Sequence, residues 1–269
     1  MSDKITIEVL RRKKESGEKI TALTSYDASA ASRVEKAGID LILVGDSVGM
    51  TLLGYETTLP VTIEDVLHHT KAVSRGISRC LLVADMPFLS FGVEQAETIR
   101  NAGRLVKEGG AGAVKLEGGE QIIDEVKALI RAGIPVMGHV GLSPQHVLLT
   151  GRYSVQGKKK SEADQVLKDS ESLQRAGAFA IVLECVPSEL AKEITERLTI
   201  PVIGIGAGPY CDGQIMVTND LLGLTDGRHP KFVKIYVNLG EQIDKALECF
   251  NKEVKEGSYP DKDHSYWID

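Results

Sequence analysis

Aromatic side chains are scarce in this 269-residue sequence: Phe, Trp and Tyr together make 5%, with a single Trp. That argues against a broad ring-lined binding surface. Cysteine is equally thin. Cys80, Cys185, Cys211 and Cys249 stand far apart, without the close pairs that bind zinc or cycle a disulfide, so all four are read as reduced, with Cys80 and Cys185 packed on strands. No apolar run approaches the roughly 18 residues needed to span a bilayer, and the opening MSDKITIEVLRRKKESGEK lacks the apolar block of a signal peptide. No membrane association and cytoplasmic residence are the expectations. Positive charge is not in excess either: 32 Lys and Arg against 38 Asp and Glu leave −6. No basic cluster is long enough to track a phosphate backbone, which speaks against nucleic acid as a partner.

Glycine, by contrast, is plentiful at 27 residues, and its placement is regular. Five stretches share one grammar, a helical segment ending in a basic residue, then Gly, then an aliphatic strand: KAGIDLILV, RGISRCLLV, KEGGAGAVKL, RAGIPVM and RAGAFAIVL. Gly after a last helical turn can adopt the left-handed cap, and Lys or Arg there suits the negative end of the helix dipole. The apolar runs that follow are short and nearly continuous, as parallel strands covered on both faces require.

This βα repeat predicts strands at 20–24, 41–45, 81–84, 112–117, 135–139, 179–184, 201–205 and 214–217. Amphipathic helices are predicted at 28–37, 62–75, 93–108, 120–132, 162–176 and 188–198, with a last one near 239–255 and an extra helix over 6–15 at the base. The repeat alone is compatible with a closed barrel or an open doubly wound sheet. Loop lengths favour the barrel, since helix-to-strand links are short while Ser47 to Pro60 and Gly141 to Ser161 are long. The expectation is a single α/β domain over 1–269, a (β/α)8 TIM barrel with an N-terminal helix covering its base.

Four of the apolar strands finish on an acid: LILVGD at Asp46, LLVAD at Asp85, AVKLE at Glu117 and AIVLE at Glu184. Composition alone predicts about one acidic end among eight. Any single acid there can serve as a helix cap or turn stabiliser. Neighbouring strand ends of a barrel, however, converge on one cavity, and oxygens from strands two, three and four make a site for a hard cation such as Mg²⁺, with positions left for an α-oxo acid. Lys115 shares the face of Glu117 and is placed to hold a substrate carboxylate. Glu184, on strand six, is the candidate base, because a partly desolvated Glu suits proton abstraction beside a metal-polarised carbonyl. His139 is read as a structural hydrogen-bonding residue. GIGAG at 204–208 lacks the spacing of a dinucleotide fingerprint and is read as close backbone packing or a substrate contact. Lys158, Lys159 and Lys160 are read as a solvated loop.

These residues lie in segments that resemble the ketopantoate hydroxymethyltransferase family over almost the whole chain. The segments are TALTSYD at 21–27, LVGDSVGM at 43–50, GYETTLPVT at 54–62, ADMPF at 84–88, VKLEGG at 114–119, GHVGLSPQ at 138–145, LECVP at 183–187, IGIGAG at 203–208 and DGQIMVTNDLLGL at 212–224. The resemblance implies a one-carbon transferase of pantothenate biosynthesis. Such an enzyme moves a hydroxymethyl group from 5,10-methylenetetrahydrofolate to 3-methyl-2-oxobutanoate through a Mg²⁺-stabilised enolate, giving 2-dehydropantoate (ketopantoate). It further implies a (β/α)8 barrel assembled as a homodecamer, with one Mg²⁺ per subunit. Carried onto this sequence, it assigns Asp46, Asp85 and Glu117 to the metal, Asp46, Ser47, Asp85 and Lys115 to the oxo acid, and Glu184 to proton abstraction. The enzymatic alternative is a Mg²⁺-dependent lyase or mutase of the phosphoenolpyruvate and isocitrate lyase type.

Overall fold

The structure, a computed structural model, describes residues 4–227 and 229–268. The chain divides into two compact units, Met1–Val217 and Thr218–Asp269. All eight strands of the expected barrel domain lie in the first. They are β1 Ile20–Thr24, β2 Leu41–Val44, β3 Leu81–Asp85, β4 Ala113–Glu117, β5 Val136–Gly141, β6 Ala180–Glu184, β7 Val202–Ile205 and β8 Gly213–Met216. Each pairs in parallel with its sequence neighbour, and β8 returns to β1, so the sheet closes in the order β1 to β8. The fold is the predicted α/β TIM barrel.

Among the described residues, the helices of this unit are α1 Ile7–Ser16, α2 Ala28–Lys36, α3 Val48–Thr51, α4 Ile63–Ser74, α5 Gln95–Lys107, α6 Ile123–Arg131, α7 Val147–Thr150, α8 Lys160–Ala176 and α9 Ser188–Arg197. The long loops after β2 and β5 therefore contain the short helices α3 and α7, which the hydrophobic period was too brief to reveal. In the second unit α10 Thr218–Leu221 precedes α11 Leu239–Glu256. The last predicted helix is thus present as α11, capped by the Asn238 side chain, and none of its residues is buried.

Alternation along each strand sorts side chains into two cores. Ile42, Val44, Leu82, Val114, Leu116, Ile181 and Leu183 point outward and pack with helix residues such as Val66, Leu105, Val126, Leu129, Leu173 and Ile194. Ile20, Leu41, Leu43, Leu81, Val83, Met137, Val182 and Ile203 fill the barrel interior. Leu10 of α1 belongs to that inner cluster and is wholly buried, which places α1 as the expected plug. Its ties confirm which end it closes: Lys13 pairs with Asp40 at 2.9 Å, Lys14 with Asp212 at 2.6 Å, and the Ile5 amide donates to the Arg79 carbonyl at 2.8 Å. Asp40, Arg79 and Asp212 all lie just before strands, at the amino-terminal rim. Thr6 caps α1 through its hydroxyl and Gly17 ends it in the left-handed region at φ 74°.

All four cysteines are free. Cys80 sits just before β3 and Cys185 just after β6, rather than within the strands.

Candidate active site

The inward-facing residues change character from bottom to top. On β3 they run Leu81, Val83, Asp85; on β4, Ala113, Lys115, Glu117; on β5, Met137, His139; on β6, Ala180, Val182, Glu184. The same two-residue period that fills the base with hydrocarbon therefore delivers ionisable groups to the carboxyl ends. Register makes neighbours of them: Asp85 lies beside Lys115, and Glu117 beside His139. Asp46 comes past the end of β2, where alternation no longer applies. The turn at Gly45–Asp46 aims its amide at Asp85 Oδ2, 3.1 Å away, and a Cβ at Gly45 would meet the Ser47 hydroxyl at 2.9 Å.

Oxygens of Asp46, Asp85 and Glu117 lie within 4.8 Å of one another, and all three residues are buried. Lys115, only 3% exposed, reaches Asp85 Oδ1 at 3.0 Å, Glu117 Oε1 at 3.5 Å and His139 Nδ1 at 3.2 Å. One ammonium among three carboxylates leaves negative charge in excess. Burial, with Asp85 and Glu117 nearby, pushes Asp46 well above the usual carboxylate range. Burial also raises Asp85, against the pull of Lys115. Glu117 moves the other way: burial is outweighed by Lys115, His139 and the Ser143 hydroxyl. Lys115 is raised because the three acids outweigh its own desolvation. Burial and Lys115 pull His139 down, yet Glu117 and Glu184 hold it up at about 9.

These residues fit a hard divalent ion. The donors are all carboxylate oxygens, the excess charge is negative, and Asp85 Oδ1 is buried without a directed hydrogen bond among the described residues, although Lys115 stands close. Glu184 lies apart from the three acids. Its Oε2 is 3.2 Å from His139 Nε2, in a direction too oblique for a good hydrogen bond. The next residue, Cys185, adopts φ 49°, rare for a non-glycine. Its amide donates to the Ile205 carbonyl, and the Gln156 amide donates to its own, so the backbone turn that orients Glu184 is held on both sides. Burial, together with the neighbouring Glu184, pushes the Cys185 thiol up to about 12, which disfavours the nucleophilic thiolate.

The structure thus gathers Asp46, Asp85, Lys115, Glu117 and Glu184 at one mouth, with Ser47 on the adjoining turn, its hydroxyl 2.9 Å from the Tyr26 hydroxyl. His139 proves to be the bridge between the acid cluster and Glu184. Strand-end reasoning missed Tyr26, Ser143 and Gln145. Ser143 Oγ donates to Glu117 Oε2 at 2.6 Å, and the Gln145 side-chain amide donates to Asp46 Oδ2 at 2.9 Å. All three stand in loops, where no period exists to read, and only the segments TALTSYD and GHVGLSPQ drew attention to them. Lys159 is solvated as expected, its side chain 81% exposed.

The family profile described as ketopantoate hydroxymethyltransferase matches residues 4–262. The 3-methyl-2-oxobutanoate hydroxymethyltransferase of Thermoanaerobacter sp. (strain X514) is 53% identical over 269 residues, covering 100% of this chain and 98% of its own. That of Syntrophus aciditrophicus (strain SB) is 52% identical over 263 residues, covering 98% and 97%. Among solved structures, phosphonopyruvate hydrolase in complex with oxalate and Mg²⁺ superposes with a TM-score of 0.62 at 15% identity, covering 96% of this chain and 92% of its own. A 2,3-dimethylmalate lyase gives 0.60 at 16%, covering 96% and 88%. These last likenesses are of fold alone. With a family profile spanning nearly every residue and relatives at half identity over their full length, the chain belongs to the ketopantoate hydroxymethyltransferase family.

Proposed function

We propose that this enzyme transfers a hydroxymethyl group from 5,10-methylenetetrahydrofolate to 3-methyl-2-oxobutanoate, forming 2-dehydropantoate, at the mouth built by β2 to β6. The observation that carries the reading is the buried trio Asp46, Asp85 and Glu117, with oxygens within 4.8 Å of each other, set beside a buried lysine and, through His139, a separate carboxylate.

Asp46 and Asp85 would hold Mg²⁺, with Glu117 ligating it directly or through water. When bound, the ion would polarise the keto group of an α-oxo acid and so acidify its C3 hydrogen. Lys115 then offers its ammonium to the substrate carboxylate, and Ser47 its hydroxyl, which fixes C3 relative to Glu184. Glu184 takes the C3 proton. The resulting carbon nucleophile bonds to the methylene carbon of the folate donor as its two C–N bonds break, and water supplies the hydroxyl. Tetrahydrofolate leaves with its nitrogens protonated by the C3 proton and the second water hydrogen. His139 stands between the Glu184 carboxylate and the cluster, 3.2 Å from the former. Self-association as a homodecamer and cytoplasmic residence belong to the same family reading; among the described residues, no helix is long and apolar enough to cross a membrane.

The decisive experiment measures deuterium exchange at C3 of 3-methyl-2-oxobutanoate alongside folate-dependent product formation, with and without EDTA. Exchange and product formation are expected to require the metal, and both are expected to vanish in Glu184→Gln. Exchange retained in that variant removes Glu184 as the base. Cleavage of an oxo acid without folate would instead favour the lyase alternative.

A further inference from the structure

The three carboxylates are restrained in a way that proton abstraction does not require. Asp46 Oδ2 accepts from Gln145 Nε2 at 2.9 Å. Asp85 Oδ2 accepts from the Asp46 amide at 3.1 Å. Glu117 Oε2 accepts from Ser143 Oγ at 2.6 Å and from the Gln145 amide at 3.1 Å. On each acid, then, one oxygen is tied to a neutral donor, and the other oxygens of Asp85 and Glu117 face the Lys115 ammonium, at 3.0 and 3.5 Å, with His139 Nδ1 also 3.2 Å from that of Glu117. Gripping a cation with both oxygens of any of them would make the tied oxygen divide itself between its donor and the ion, and would turn the carboxylate away from the orientation that the donor fixes, a costly change in a buried site.

Two of these acids are restrained by one piece of chain. At the end of β5, Gly141 turns the backbone at φ 95°, and Pro144 opens a single 3-10 turn, Pro144–His146, closed by the His146 amide on the Ser143 carbonyl at 3.0 Å. Gln145 is 3% exposed. Its Nε2 donates to both Asp46 Oδ2 and the Met86 carbonyl, at 2.9 and 3.0 Å. The reversed amide would set its oxygen against two acceptors, so the donor orientation is fixed.

Mg²⁺ takes near-octahedral, one-oxygen ligands, whereas Ca²⁺ takes six to eight oxygens and commonly both oxygens of a carboxylate. We propose that the Ser143–Gln145 segment is a specificity determinant for the cation: by tying one oxygen of Asp46 and one of Glu117, it restricts each to single-oxygen ligation and discriminates against large ions such as Ca²⁺. Ser143 and Gln145 are positioning residues, acting through the acids. The inference rests on the cation-binding reading of the trio.

Titration calorimetry of the full chain with MgCl₂ and, separately, CaCl₂, without substrate, tests it. The wild-type chain is expected to bind Mg²⁺ more tightly than Ca²⁺. In Gln145→Ala, which frees Asp46 Oδ2, the ratio of Mg²⁺ to Ca²⁺ affinity falls by about tenfold or more. In Ser143→Ala, where the Gln145 amide still holds Glu117 Oε2, it falls by a smaller but measurable factor, while Ser143→Thr, which keeps the hydroxyl, retains the wild-type ratio. An unchanged ratio in the alanine variants overturns the proposal, as does an equal loss of both affinities or a wild-type preference for Ca²⁺. If Gln145→Ala does not fold, the Ser143→Ala and Ser143→Thr pair decides alone. A wild-type chain that binds neither ion overturns the cation site itself; one that binds Mg²⁺ with an unmoved ratio in the variants overturns only the selectivity role.

Discussion

Removing the Lys115 ammonium would leave Asp85, 1% exposed, without the positive charge 3.0 Å from its Oδ1. Uncompensated charge in such surroundings is severe, so Lys115→Met is expected to cost about 3–5 kcal/mol of stability in metal-free buffer, measured by urea unfolding. The same substitution removes a competitor for the acids. Saturating Mg²⁺ is therefore expected to stabilise Lys115→Met more than it stabilises the wild-type chain; equal stabilisation of both would mean that the lysine and the ion do not share those oxygens. At this scale the sequence disclosed what periodicity could reach. Asp85, Lys115, Glu117 and Glu184 sit at strand ends whose alternation points them inward, and their convergence could be foreseen. His139 was placed on the right face, but its contact with Glu184 depends on a register in which it lies beside Val182, two residues below that acid. Stagger between strands is a property of closure, not of any local pattern. Gln145 reaches Asp46 across 99 positions of sequence, through a turn whose course no hydrophobic period records.

Connections decide how accurately the elements hold these groups. Gly141 ends β5 at φ 95°, and a Cβ there would meet the Glu184 carbonyl oxygen at 2.3 Å. That carbonyl also accepts the Leu142 amide at 2.9 Å. Gly141→Ala should therefore cost more than about 1 kcal/mol and shift the backbone of Glu184, lowering kcat by roughly 10²-fold. Gly133, at φ 81° with nothing within 4 Å of a Cβ, is the control: Gly133→Ala carries the same backbone strain, and its kcat stays at the wild-type value. A second connection has a pH signature. Glu35, in the last turn of α2, accepts from the amides of Ser78, Arg79 and Cys80 and from the Ser78 hydroxyl, tying α2 to the start of β3. Burial would raise its pKa, but these donors outweigh burial and hold it at about 2, against an ordinary 4.5. A carboxyl depressed in the folded state stabilises fully above its unfolded value and loses that contribution as pH falls through the folded one. Between pH 4.5 and about 2, the wild-type chain is expected to lose a component of stability that Glu35→Gln lacks at every pH, a difference visible in urea midpoints across that range.

At the scale of the whole barrel, chemistry and stability occupy opposite ends. All eight strands were foreseen to within two residues, because Gly-capped helices alternating with short aliphatic runs leave little choice of element type. Closure was less determined by the repeat itself, which an open sheet also satisfies, and it was the two long strand-to-helix loops that favoured the barrel. The α1 plug turns that polarity into a measurement. Leu10 is fully buried in the inner core with Ile20, Leu41 and Leu81, and α1 is anchored to the amino-terminal rim through Asp40, Arg79 and Asp212. The acids, Lys115 and Glu184 lie at the carboxyl ends. Truncating Leu10 to Ala opens a cavity that the surrounding β-strands cannot collapse into without breaking the sheet, so the loss should fall in the range of about 2–5 kcal/mol. Because the barrel wall is closed by its own hydrogen bonds, the folded fraction of Leu10→Ala should turn over at the wild-type rate. Parallel urea unfolding and steady-state assays check both halves. A variant that keeps its stability would show that α1 merely lies against the base, and one that folds but loses turnover would show that the plug and the catalytic mouth are mechanically coupled through the strands.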